Sequence, residues 1–138
     1  RKSVKENVFM KKCFSVIICV ACILTLFACG KKANPIILPQ SSDVVSVDVI
    51  DGENTVNCSD KTWIDEVISG LSDSKPTNRE SVQDSPHVKD YIRIEINSQT
   101  EKTTVFVYKD KGKFYVEQPY NGIYIIDSDL YKMFWELY

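Results

Sequence analysis

The stretch Tyr91–Ile126, YIRIEINSQTEKTTVFVYKDKGKFYVEQPYNGIYII, decides the fold. Ile92, Ile94 and Ile96 alternate with Tyr91, Arg93 and Glu95, the period-two pattern of a strand with one buried face. After the polar turn Asn97–Lys102, Val105 and Val107 alternate with Thr104, Phe106 and Tyr108. Both faces of that second strand are apolar or aromatic, which places it centrally in a sheet. Lys109–Lys113 turns the chain again, Phe114–Glu117 forms a third strand and Ile123–Ile126 a fourth. Between the last two, Asn121-Gly122 is a strong hairpin signal, because a type I′ turn needs two positive φ angles. Pro119 complicates it: with no amide proton, it implies either an open edge or a wider loop over residues 118–122.

Downstream, Asp127-Ser128 caps a closing helix in which Leu130, Met133, Phe134 and Leu137 recur at i, i+3, i+4 and i+7. Its second flank, Tyr131, Trp135 and Tyr138, either covers more of the sheet or stays exposed; a small domain needs its large side chains for the core, which favours packing. Upstream, Val45, Val47 and Val49 alternate with Ser46 and Asp48 as a first strand, and Asp51–Asn54 turns the chain. Ser59 or Asp60 is a ready N-cap for a helix bearing Trp63, Ile64, Val67, Ile68 and Leu71 on one stripe. Ser72–Asp90 is a long irregular segment, either functional or disordered. The resulting order is strand, helix, long loop, four antiparallel strands, helix. It predicts an α+β two-layer sandwich, an antiparallel sheet of about five strands with both helices on one face.

The N-terminal part carries a different signal. Met10–Gly30, MKKCFSVIICVACILTLFACG, has a positive start at Lys11 and Lys12, an apolar run Cys13–Phe27 broken by Ser15 and Thr25, and a small residue, Ala28, before a cysteine. This pattern resembles a bacterial lipoprotein leader. The resemblance implies that Leu26, Phe27 and Ala28 form the cleavage box, that Cys29 takes a diacylglyceryl group on sulfur, and that cleavage makes Cys29 the new N-terminus. Phe27 departs from the small residue usual at its position. The competing reading is an uncleaved membrane helix, yet Cys13–Ala28 is 16 residues where a span wants about 20. Residues 1–9 read as an upstream extension, 10–28 as the signal peptide, 29–42 as a proline-containing tether and 43–138 as the domain. Two acyl chains make a stable anchor, so the expected location is the extracellular face of the cell membrane.

Charge and cysteine content narrow the function classes. The full chain has 17 Lys and Arg against 19 Asp and Glu; removing residues 1–28 takes away five basic residues and Glu6, leaving 12 against 18, a net of −6. An acidic mature domain is a poor partner for nucleic acid. Four of the five cysteines are consumed by leader and lipid, so Cys58 is alone and no disulfide forms within the chain. Cys58 reads as a small packed residue in preference to a reactive thiol, and His87 as a solvated loop residue with no second ligand at metal spacing. There is no phosphate loop, nucleophile elbow or metalloprotease motif. The expectation is a domain that is not an enzyme, with no cofactor and no metal.

One constellation remains as a candidate contact surface: Tyr115, Gln118, Tyr120, Asn121 and Tyr124 crowd the final hairpin. Tyrosines suit a contact surface, and equally suit cross-strand packing, the reading preferred here. The run Gly112–Tyr124, GKFYVEQPYNGIY, together with Ser81–Pro86 and the strand Tyr91–Ile96, resembles an uncharacterised domain of small lipoproteins in Gram-positive bacteria. A Gly-Lys-Tyr-Tyr-x-Glu-Gln-Pro-Tyr-x-Gly-Ile-Tyr segment recurs in that family. Phe114 replaces its usual aromatic, and the similarity covers about residues 43–138. It implies this fold and a surface location and brings no activity. The functional expectation is a lipid-anchored cell-surface lipoprotein whose non-catalytic binding or accessory domain meets a protein or peptide. The alternative is an envelope-stress or immunity lipoprotein that intercepts cationic antimicrobial peptides.

Overall fold

The computed structural model describes residues 32–138. Its sheet is built from β1 (Val44–Asp51), β2 (Asn54–Cys58), β3 (Lys75–Pro76), β4 (Ile92–Ser98), β5 (Lys102–Asp110), β6 (Lys113–Gln118) and β7 (Gly122–Ile126). The order across it is β2-β1-β4-β5-β6-β7-β3, with every neighbouring pair antiparallel. Two helices, α1 (Lys61–Ser72) and α2 (Ser128–Trp135), complete the α+β fold. The expectation of about five strands is corrected to seven among the described residues. Neither extra strand carries the pattern that betrays a buried face: β2 has no fully buried residue and β3 is two residues long, pairing Lys75 with Ile125 and Pro76 with Tyr124.

One face of the sheet forms the main core. Val47, Val49, Ile92, Ile94, Ile96, Val105, Val107, Val116, Tyr124 and Ile126 meet Ile64, Val67, Ile68 and Leu71 of α1 and Leu130 and Phe134 of α2. Each such aliphatic side chain, fully buried, contributes roughly 1.5–3 kcal/mol through the hydrophobic effect. Helix α1 starts where Asp60 accepts a hydrogen bond from the Trp63 amide at 2.8 Å, and α2 where Asp127 accepts from the Asp129 and Leu130 amides. Trp63 meets Phe134 edge-on at 6.1 Å, tying the helices together. The second flank of α2 divides: Tyr131 and Trp135 pack against the core, Tyr131 lying 4.5 Å from Phe114 between ring centroids, while Tyr138 stays 48% exposed with its hydroxyl donating to the Val49 carbonyl.

Two local readings are corrected. A register shift between Val44 and Ser46 turns Val44 inward and leaves Val45 57% exposed, so the valine alternation at 45, 47 and 49 breaks at its first member. The tight turn with two positive φ angles lies at Lys111 (φ 49) and Gly112 (φ 79), joining β5 to β6. The β6–β7 connection is the wider loop that Pro119 implied. Gln118 pairs with Gly122, leaving Pro119, Tyr120 and Asn121 in the turn, and Tyr120 takes the positive φ of 60°.

Residues read as tether are also part of this unit. Ala33, Ile36 and Leu38 pack against the main core, and a 3-10 turn at Ser41–Asp43 leads into β1. The long segment before β4 is laid against the opposite face of the sheet. There Tyr108, Tyr115 and Ile123 form a second apolar cluster with Val88, Tyr91 and Ile125, and Ser81 and Pro86 are buried.

Candidate functional site

The β6–β7 turn holds residues 33–37 by their backbone. The Gln118 side-chain amide pairs with both polar groups of Ile37: its oxygen accepts from the Ile37 amide at 2.9 Å, and its nitrogen donates to the Ile37 carbonyl at 2.7 Å. A side chain thus supplies the pairing that a neighbouring strand would otherwise give. The Asn121 side-chain nitrogen shares its two protons among three acceptors, the Pro35 carbonyl at 3.1 Å, the Gln118 oxygen at 2.7 Å and the Tyr124 hydroxyl at 2.7 Å. That hydroxyl in turn donates to the Asn34 carbonyl at 2.7 Å. The Ala33 amide donates to Thr77, whose own amide and hydroxyl donate to the Ile123 carbonyl. Gly122 completes the clamp sterically, since a β-carbon there would lie 2.3 Å from that of Ala33. The hydrogen bonds to residues 34, 35 and 37 all go to main chain, so they fix position without reading the side chains there.

On the other face the same segment holds the long loop. Glu117 is buried and accepts from the Ser81 hydroxyl at 2.7 Å and from the Tyr108 hydroxyl at 3.2 Å. Arg79 lies over the Tyr115 ring at 5.2 Å and reaches Asp110 at 3.9 Å. Burial, with the Glu117 charge beside it, pushes the Tyr108 phenol far above its usual range. Tyr120 donates to Asp84 at 2.7 Å while its ring stays 67% exposed.

The five hairpin residues expected as a contact surface are therefore divided. Gln118, Asn121 and Tyr124 come together on the 33–37 segment, Tyr115 is buried under the loop, and Tyr120 alone presents its ring to solvent. All five make contacts within the chain, Tyr120 through its hydroxyl to Asp84. Leu26, Phe27, Ala28 and Cys29 lie outside the described residues. Cys58 is half-buried at the sheet edge, and burial together with the Asp48 charge pushes its thiol up, away from the reactive thiolate. His87 is exposed and contacts Gln83. Among the described residues no group of three or more His, Cys, Asp or Glu side chains is placed to hold a metal ion.

Sequence reasoning missed an open groove of about 540 Å³ lined by residues of both helices. Leu130, Met133 and Gly70 line it together with Asp65, Glu66, Asp73, Asp127 and Asp129. Asp65 is held below the usual carboxylate range, first by its hydrogen bond from Lys61 and then by that from Ser41. Asp65 and Glu66 lie off the apolar stripe of α1; what sequence does not show is that they share a groove with the caps Asp73 and Asp127 and with Asp129.

Fold and clamp together define a small α+β domain whose N-terminal segment is bound across one end of its own sheet. The chain belongs to the DUF5301 family, described as "Domain of unknown function (DUF5300)", which matches residues 32–125. The match begins one residue before the clamped segment. The chain is also similar to a protein from Ruminococcus gnavus with a structure solved by NMR, at 32% identity and a TM-score of 0.60, over 70% of this chain and 99% of that one. No curated protein is significantly similar.

Proposed function

We propose that this protein is a lipid-anchored lipoprotein on the outer face of a Gram-positive cell membrane, carrying a non-catalytic binding or accessory domain. The observation that carries the reading is the leader pattern of Met10–Gly30: Lys11 and Lys12, the apolar run Cys13–Phe27, and Ala28 before Cys29. On this reading the first clamped residue, Ala33, follows the lipid-accepting position by four residues. No cofactor, metal or nucleic acid enters this reading, and the net mature charge of −6 speaks against nucleic acid. The test is incorporation of a labelled fatty acid in cells producing the full chain. The wild type takes up label and Cys29→Ala does not; label retained by Cys29→Ala, or absent from both, overturns the proposal.

A second reading is favoured by the acidic groove: the domain intercepts cationic antimicrobial peptides near the membrane. Glu66, Asp73 and Asp127 beside Leu130 and Met133 complement an amphipathic basic peptide, while Asp65 and Asp129 already pair with Lys61 and Lys132. Binding of a basic amphipathic peptide should weaken several-fold with added salt and with the pair Glu66→Gln, Asp73→Asn. Affinity insensitive to both, or unchanged peptide susceptibility of cells lacking the protein, overturns it.

A further inference from the structure

We propose that the end of the domain carrying the β6–β7 turn, where the clamped segment begins and the Tyr120 ring is exposed, is seated against the lipid surface. The inference rests on the lipoprotein reading and adds an orientation to it. Its first ground is reach. Without the clamp, the fifteen steps from Cys29 to Val44 would span up to about 50 Å at roughly 3.3 Å each, enough to let the domain tumble well away from the bilayer. With Ala33 fixed beside Gly122 and Thr77, only four steps remain, about 14 Å at most. A lipid on Cys29 then holds the Gly122 end of β7 close to the headgroups.

The second ground is what that end presents. Ile37 is 66% exposed while its backbone pairs with Gln118, and Tyr120 sits in the turn two residues further on. Tyr120 keeps its ring outward although its positive φ costs a β-carbon-bearing residue on the order of 1 kcal/mol. A tyrosine with an apolar ring and a polar hydroxyl suits the membrane–water boundary. The β4–β5 turn at 99–101 lies at the same end, since β4 runs antiparallel to β5 and β5 to β6. The Lys111-Gly112 turn lies at the other end of β6, about 17 Å away for six residues of strand.

The test uses the full chain in a Cys58→Ser background, with single cysteines at Tyr120→Cys, Glu101→Cys or Lys111→Cys, on intact protoplasts. A membrane-impermeant polyethylene-glycol maleimide should modify positions 120 and 101 several-fold more slowly than 111. Detergent solubilisation should abolish the difference, and adding Gln118→Ala should reduce it. Equal rates on protoplasts for a protein shown to carry fatty acid overturn the orientation alone. A protein that carries no fatty acid overturns the orientation together with the reading beneath it.

Discussion

The methyl group of Ala33 occupies the space that any side chain at position 122 would need: a β-carbon on Gly122 would approach it to 2.3 Å. Gly122 does not have a positive φ, so its role is close approach and not backbone freedom. Gly122→Ala should therefore destabilise by about 1–3 kcal/mol, the usual cost of overpacking. Adding Ala33→Gly should recover part of that loss, since it removes the closest clash and leaves the Tyr124 hydroxyl 3.1 Å from the new β-carbon. Urea unfolding of the single and double variants checks this; a double variant as unstable as the sum of the singles contradicts the contact.

Gln118 makes two bonds to the Ile37 backbone. Gln118→Ala should cost about 1–2 kcal/mol, because the freed Ile37 groups regain water while the pairing is lost. The distinctive outcome is local. Limited proteolysis should begin to cut within residues 32–38, while amide exchange in β4 and β5 stays slow. If residues 32–38 remain as resistant as in the wild type, the clamp is not what holds them.

Much of this architecture was legible in the sequence, and the failures share a cause. The alternation at Ile92, Ile94 and Ile96 and the helical stripe from Ile64 to Leu71 place those residues correctly, because one buried face imposes a period. Strand β2 escaped because Asn54–Cys58 is an edge whose side chains are mostly in water. The tether escaped because its attachment is through backbone carbonyls and amides, which leave no mark on residue type at 34, 35 and 37. The mark is on the partners instead. Tyr115, Gln118, Tyr120, Asn121 and Tyr124 stood out as a polar and aromatic hairpin, but a hairpin that grips a segment of its own chain and one that grips another protein have the same composition.

Glu117 accepts hydroxyl protons from Ser81 and Tyr108 in a buried site. Glu117→Gln replaces one acceptor oxygen with a donor facing those hydroxyls, and should cost about 1–3 kcal/mol. Hydrogen exchange should show residues 78–90 losing protection before the sheet does. Unchanged protection there would mean that Arg79 over Tyr115, and not Glu117, holds the loop.

Alkaline pH offers a separate check. Tyr108 stays neutral in the fold because burial raises its phenol pKa, with the Glu117 charge adding to the effect. In the unfolded chain a tyrosine ionises near pH 10. Folding stability is therefore full below that pH and falls above it, by up to about 1.4 kcal/mol per pH unit for this one group. Stability measured from about pH 8 to about pH 11 should decline more shallowly for Tyr108→Phe than for the wild type. Parallel declines would show that Tyr108 ionises as readily folded as unfolded.

The account depends above all on how the chain is attached to the cell, and the mass of the intact protein extracted from membranes reads that directly. A mass corresponding to a chain that begins at Cys29 and carries a diacylglyceryl group is the predicted result. A mass that retains Met10–Ala28, with no lipid on Cys29, would contradict it.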